Sequence, residues 1–362
     1  MKHESNPKRQ GHALPDTIWY TRCPVPTAAG LAIQKGWLAD EFAPDGIRFM
    51  SLRHSQDPKI RESHYTHTLD NSFRQGGNAP ALFARSEGRD TVLLGLHFTP
   101  QYQAILSLPE AGIRTVADLK GRRLALPRRL NDAIDYWRAI VLQAYENILR
   151  LAGLDLSDVV LVDLPNTQPY VEEDVKITDA LTPASRTVKL QTREMTALLR
   201  GEADAMLGYS VWGAELRGQL SAIEIAPLSG LPLEAQINNE APQTLTVSGG
   251  LLRDHPDLVE RYLMRAIAAS TWARHNRNAA ITALAVETGS AEYWVDKGCG
   301  EDVTSHLDFS LNEPLVQALE ARKAFLLKHG FLRNDFDIRE WMDPRPLENA
   351  VKRLRSRGLA PI

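Results

Sequence analysis

Ile18-Trp19-Tyr20-Thr21-Arg22-Cys23-Pro24-Val25-Pro26-Thr27 is a run of strand formers that ends at a cysteine. Ile18, Trp19, Tyr20 and Thr21 are β-branched or aromatic, the residues that suit a half-buried pleated strand. Pro24 and Pro26 cannot donate to a sheet ladder, so the strand has to stop before them. Thr27 offers a side-chain oxygen to cap the segment from Ala28 to Leu38, whose apolar residues recur at helical spacing. Cys23 therefore falls in a strand-to-helix loop. In open α/β sheets ligands bind outside the carboxyl ends of the strands, where such loops gather. An arginine neighbour and a nearby helix start are also a setting that lowers a thiol pKa. A lone cysteine is otherwise most often a small buried hydrophobe.

Working outward, Ile47 to Leu52 and Thr91 to Leu96 read as further strands, and Asn78 to Arg85 as a short helix between them. The βαβαβ pattern calls for a parallel sheet. Arg53 to Asn78 is polar and without a clear period, carries His54, Arg61, His64, His67 and Arg74, and reads as a long loop that orders over a ligand. A second α/β set follows, with strands at Tyr102 to Leu108, Leu124 to Leu126, Val159 to Val162 and Ala203 to Gly208, and helices at about Asp132 to Leu151 and Thr192 to Leu199. The stretch from Thr167 to Thr187 is polar and irregular. After a last strand at Thr244 to Val247, the chain from His255 onward is almost wholly helical.

One α/β set, a second, then helices alone implies a chain that crosses to a second lobe near Pro100 and returns near Val247. The expectation is residues 1–100 and 249–362 in one lobe, residues 101–248 in the other, and a ligand cleft between them. A length of 362 residues also favours two lobes over one core.

Composition excludes several classes. The 43% hydrophobic and 24% charged residues are those of a water-soluble globular protein, and a net charge of -3 offers no nucleic-acid partner. No apolar run is long enough for a membrane span. Met1 to Gln10 is polar and lacks the apolar region of a secretory signal, which leads to the expectation of a cytoplasmic protein. Cys23 and Cys299 read as two thiols rather than a disulfide. Neither zinc-ligand spacing nor a phosphate-binding glycine motif occurs, so no metal and no cofactor are expected.

Tyr20-Thr21-Arg22-Cys23-Pro24-Val25-Pro26, followed by His64-Tyr65-Thr66 and Ser72-Phe73-Arg74-Gln75-Gly76-Gly77, resembles the aromatic sulfinate desulfinases of biodesulfurisation. Weaker likenesses run along the chain at Asp118 to Arg123, Val211 to Leu216, Val247 to Leu251 and Trp272 to Arg274. The first of these is shared with the wider superfamily of sulfonate- and nitrate-binding proteins. The resemblance implies a two-lobed fold of the periplasmic-binding-protein type II kind and hydrolysis of an aryl carbon–sulfur bond with release of sulfite. It implies catalytic roles for Cys23, His64 and Arg74. Arg22 and Leu69 stand where the family has an asparagine and a glutamine, beside the expected substrate.

The chemistry suits those residues. A guanidinium can hold an oxyanion by two parallel hydrogen bonds, and adjacent glycines let backbone N–H groups approach it, so Arg74, Gly76 and Gly77 are the expected anion site. A cysteine can protonate the ring carbon as a general acid or attack sulfur as a thiolate. Trp212, after a second-lobe strand, is the best candidate for an aromatic wall, ahead of Trp19, Trp137 and Tyr209. The expected partner is a small aromatic sulfinate or sulfonate and the expected state a monomer. The alternative is a solute-binding protein for such anions that turns nothing over.

Overall fold

The computed structural model describes residues 13–167 and 191–356. Its larger sheet has five strands in the order β2-β1-β3-β10-β4. These are β1 (Thr17–Arg22), β2 (Arg48–Ser51), β3 (Ser72–Gly76), β4 (Thr91–His97) and β10 (Gln243–Ser248). β1 runs parallel to β2 and β3, while β10, arriving from the far side of the molecule, lies antiparallel between β3 and β4.

The remaining strands all come from between β4 and β10. β5 (Gln103–Ser107) pairs antiparallel with β8 (Met206–Tyr209) and β9 (Ile223–Ile225). β6 (Arg123–Arg129) pairs parallel with β7 (Val160–Asn166), and a bridge from Leu124 to Ala205 ties this pair to the other three. The fold is two-lobed, as the order of elements implies, and of the periplasmic-binding-protein type that the resemblance implies.

Beyond β10 the chain is helical. Pro256–His275 packs on Ala28–Gln34 and on Arg345–Ser356, burying Leu258, Val259, Leu263 and Ala266 against the larger sheet. Glu292–Cys299 also packs on Ser210–Leu220, where a Cβ on Gly298 would come within 2.5 Å of Val211 Cα. Small residues are what let these two helices touch.

The reading of Arg53 to Asn78 as an irregular loop is overturned. It holds a helix, Pro58–Thr66, and the central strand β3. The helix starts where Asp57 accepts from Lys59 N and Pro58 takes the first helical position. It shows no apolar period because the face it buries is polar, made of Arg61, Ser63 and His64 with Tyr65. Most of the stretch from Thr167 to Thr187 lies outside the described residues.

Candidate active site

The parallel register builds the site. Thr21 sits opposite Arg74 and Arg22 opposite Gln75, so the next residues, Cys23 and Gly76, come level at the carboxyl edge of the sheet. Gly76 adopts φ +152°, and a Cβ there would come within 2.4 Å of Cys23 Sγ. Only glycine fits against that sulfur. Beyond the cysteine the loop is held from below: Nε2 of His97 and Nε2 of Gln243 lie 3.3 Å and 3.4 Å from the Pro26 carbonyl oxygen. Thr27 then caps the helix Ala28–Gln34 by accepting from Gly30 N, and Gln75 Oε1 accepts from Ala29 N at 2.9 Å.

Arg74 projects from β3 beside the thiol. Its Nη1 donates to the Gly77 carbonyl at 2.7 Å, and its Nη2 faces Cys23 Sγ at 4.0 Å. One arm of the fork is thus engaged with backbone. The other arm and the Gly77 N–H both point at the sulfur. Gly77 also has to be small, since a Cβ there would overlap the Asn239 amide.

These groups open on a cavity of ≈ 470 Å³, part of it exposed to solvent. Cys23, Pro24, Val25, His64, Arg74, Gly77 and Pro80 line it from the larger sheet and its loops. Tyr136, Trp137, Ile140, Tyr209, Trp212, Asn239 and Glu240 line it from the chain between β4 and β10. The charged and thiol groups are therefore mostly on one side and an aromatic wall on the other, with Asn239 and Glu240 as the polar exceptions. Trp137 is held by Glu194, whose Oε1 accepts from its Nε1 at 2.5 Å, and Trp212 Nε1 donates to the Thr288 carbonyl at 2.9 Å.

Burial decides the charge states. It raises the Cys23 thiol above its ordinary value, overcoming the opposite pulls of Arg74 and Arg53. The thiol is thus protonated near neutral pH, contrary to what an arginine neighbour and a helix start suggest. Burial first, then Arg74, Arg53 and His67, hold His64 well below the usual imidazole range, so it is neutral. Glu240 is 5% exposed, and burial pushes its carboxyl up to about 8. Among the described residues, no group of three His, Cys, Asp or Glu side chains is placed to hold a metal ion.

The structure brings Cys23, His64, Arg74, Gly77 and Trp212 around one cavity, with Gly76 against the sulfur. Leu69 is not on the cavity wall; its N–H donates to Ser63 Oγ at 3.1 Å behind the helix Pro58–Thr66. Arg22 closes β1, and its side chain lies outside the described residues. Trp19 is likewise away from the cavity, while Trp137 and Tyr209 reach it. Glu240, Tyr136 and Ile140 carried no sequence signal.

A two-lobed binding-protein fold with a cysteine, an arginine and an aromatic wall at its cleft defines a class of small-anion proteins, and known proteins narrow it. The chain is 29% identical over 370 aligned residues to the 2'-hydroxybiphenyl-2-sulfinate desulfinase of Rhodococcus erythropolis, covering 95% of this chain and 96% of the relative. A cysteine-to-serine variant of DszB in complex with biphenyl-2-sulfinic acid superimposes with a TM-score of 0.73 at 26% identity, over 93% of this chain and 99% of that one. The alkanesulfonate-binding protein SsuA from Xanthomonas axonopodis pv. citri, bound to MOPS, shares the fold with a TM-score of 0.62 at 20% identity, over 92% and 99% of the two chains. No family model matches. The resemblance to aromatic sulfinate desulfinases is thus borne out over nearly the whole chain.

Proposed function

We propose that this protein is a hydrolase that cleaves the carbon–sulfur bond of an aromatic sulfinate, releasing sulfite and the desulfinated arene. The observation that carries this reading is Cys23 Sγ at 4.0 Å from Arg74 Nη2, facing a cavity walled by Tyr136, Trp137, Tyr209 and Trp212. The likeness to the Rhodococcus desulfinase supports it.

The aryl ring packs on the aromatic wall and the sulfinate meets Arg74 and the Gly77 N–H. Cys23 gives its proton to the ring carbon that bears sulfur, the carbon–sulfur bond breaks, and SO2 leaves with a thiolate behind. Water adds to SO2 to give hydrogen sulfite and a proton, and one proton returns to the thiolate, so the cycle balances. A thiol held protonated by burial favours this acid role over attack as a thiolate. His64, being neutral, positions water or thiol by hydrogen bonding rather than by charge.

The setting we propose is a cytoplasmic monomer. The second reading, a sulfonate-binding protein without turnover, is favoured by the fold shared with SsuA. Incubation with 2'-hydroxybiphenyl-2-sulfinate while sulfite is followed separates the two: release with the arene supports the hydrolase, and tight binding with no sulfite supports the carrier.

A further inference from the structure

Glu240 sits in the short connection between the helix Leu233–Gln236 and β10. That connection is pinned on both sides. Asn78 Nδ2 donates to the carbonyls of Asn238 and Pro242 at 2.7 Å and 2.9 Å, and Asn238 Nδ2 donates to Gln103 Oε1 at 3.0 Å. Asn239 Oδ1 accepts from Ala79 N at 2.9 Å. Glu240 is therefore delivered by a loop with little slack to the wall of the same cavity that Arg74 lines.

Its side chain is more than nine-tenths buried, yet Oε2 has no hydrogen-bond partner. An ionised carboxylate in such a place needs a cation or several donors. Here burial is the one cause that sets its protonation. A neutral acid has a hydrogen to donate. The acceptor for it has to come from the cavity.

We propose that Glu240 is a specificity-determining residue of this site, whose neutral carboxyl donates a hydrogen bond to the anionic group of the bound substrate. This rests on the aromatic-sulfinate reading above. A sulfinate has acceptor oxygens only, so Arg74, the Gly77 N–H and a protonated Glu240 all complement it. Once Glu240 ionises, its carboxylate offers only acceptors and repels the same anion.

Few other groups change charge in the relevant range. Around the cavity stand Cys23 and Arg74 from the larger sheet, with Arg53 acting on the thiol, His64 from the helix Pro58–Thr66, and Tyr209 from β8. Cys299 lies behind Tyr209 and feels Glu240. Burial raises Cys23, Tyr209 and Cys299 and lowers His64, which clears the interval between pH 7 and 9. Arg322, which acts on Tyr209, is pushed down to about 9 and falls at the upper edge.

The test titrates Cys23→Ser protein, which lacks the thiol, with biphenyl-2-sulfinate by calorimetry from pH 6.5 to 9. Affinity is expected to be flat at low pH and to fall about tenfold per pH unit above about 8. In Cys23→Ser/Glu240→Gln protein the amide still donates an N–H, so binding is expected to persist and the fall to vanish, with any Arg322 contribution common to both. The same fall in both proteins overturns the proposal. So does a folded Glu240→Gln protein that binds nothing. If the Cys23→Ser protein binds no sulfinate at any pH, the substrate reading falls and takes this one with it. A ligand-free control separates the cases: the wild-type minus Glu240→Gln difference spectrum at pH 6.5 is expected to show a protonated-carboxyl infrared band, the contributions of Glu194 and Asp135 cancelling, and its absence overturns the neutral acid by itself.

Discussion

Cys23 and Arg74 are expected to fail differently when substituted. Cys23→Ser keeps size and a hydroxyl but loses the acidity of the thiol, so sulfite release should fall by about two orders of magnitude or more while sulfinate binding persists. Arg74→Lys keeps the charge but loses both the arm on the Gly77 carbonyl and the arm facing the sulfur, so affinity and turnover should fall together. Calorimetry and sulfite assay of the two variants check this. Glu240 makes a separate prediction about stability. Its carboxyl ionises near 4.5 in the unfolded chain and at about 8 in the fold, so between those values the native state binds the extra proton. The contribution of Glu240 to stability therefore declines as pH rises through that window, by an amount on the order of a few kcal/mol, while His64, His67 and His97, held low by burial, act in the opposite sense with or without Glu240. Glu240→Gln should remove most of the decline, as read from denaturant unfolding at pH 5 and pH 8.5. Cys23 and Arg74 were legible because a strand end, two prolines and a glycine pair mark them locally, whereas His64 was singled out only by the family resemblance. Glu240 was not, because Asn239-Glu240-Ala241 reads as an ordinary polar loop and is buried only by contacts with Asn78, Ala79 and the cavity.

At the scale of elements, Pro58–Thr66 is the most instructive. The signal for its start, Asp57 before Pro58, was present in the sequence, but the helix buries Arg61, Ser63 and His64, so hydrophobic period gave no hint of it. Helices with apolar faces were legible: Thr192–Leu199 has the bounds its periodicity gives, and Pro256–His275 falls in the stretch after His255 that reads as helical. The difference is physical, since periodicity reports only what is buried against an apolar core. Because this helix carries His64 in its last turn, its cap reaches the site. Asp57→Ala should cost about 1 kcal/mol, visible as a fall of about 1–2 °C in Tm. An unchanged Tm would mean that the cap at Lys59 N does not hold the helix.

For the whole molecule, the proposed division is residues 101–248 as one lobe and the rest as the other. Arg322, on the helix Glu313–Lys328, crosses this division: it donates to Asn78 Oδ1 at 3.2 Å, to the Ala139 carbonyl at 3.3 Å and to Gln143. It is fully buried with neutral partners only, so burial pushes its pKa down. Arg322→Ala leaves those acceptors unsatisfied, each costing roughly 1–3 kcal/mol. The expected outcome is a large loss in unfolding free energy and faster proteolysis between the lobes, while an unchanged melting curve would count against a bridging role. That a cleft lies between two α/β sets was legible from the order of elements. The bridge was not, because an arginine at helical spacing reads as a solvated side chain.

The ends of β1 and β3 come level on one sheet, and the aromatic wall comes from chain beyond β4. On the proposed reading, the reacting thiol and the ring's berth thus come from different parts of the chain and can change independently. Recasting Trp137, Ile140 and Trp212 should retune which arene is accepted, naphthalenes or single rings in place of biphenyls, while the bond broken stays the same. An enzyme of this make is a chassis with an interchangeable cabin: the chemistry need be invented once, and its repertoire can then drift without risk to it.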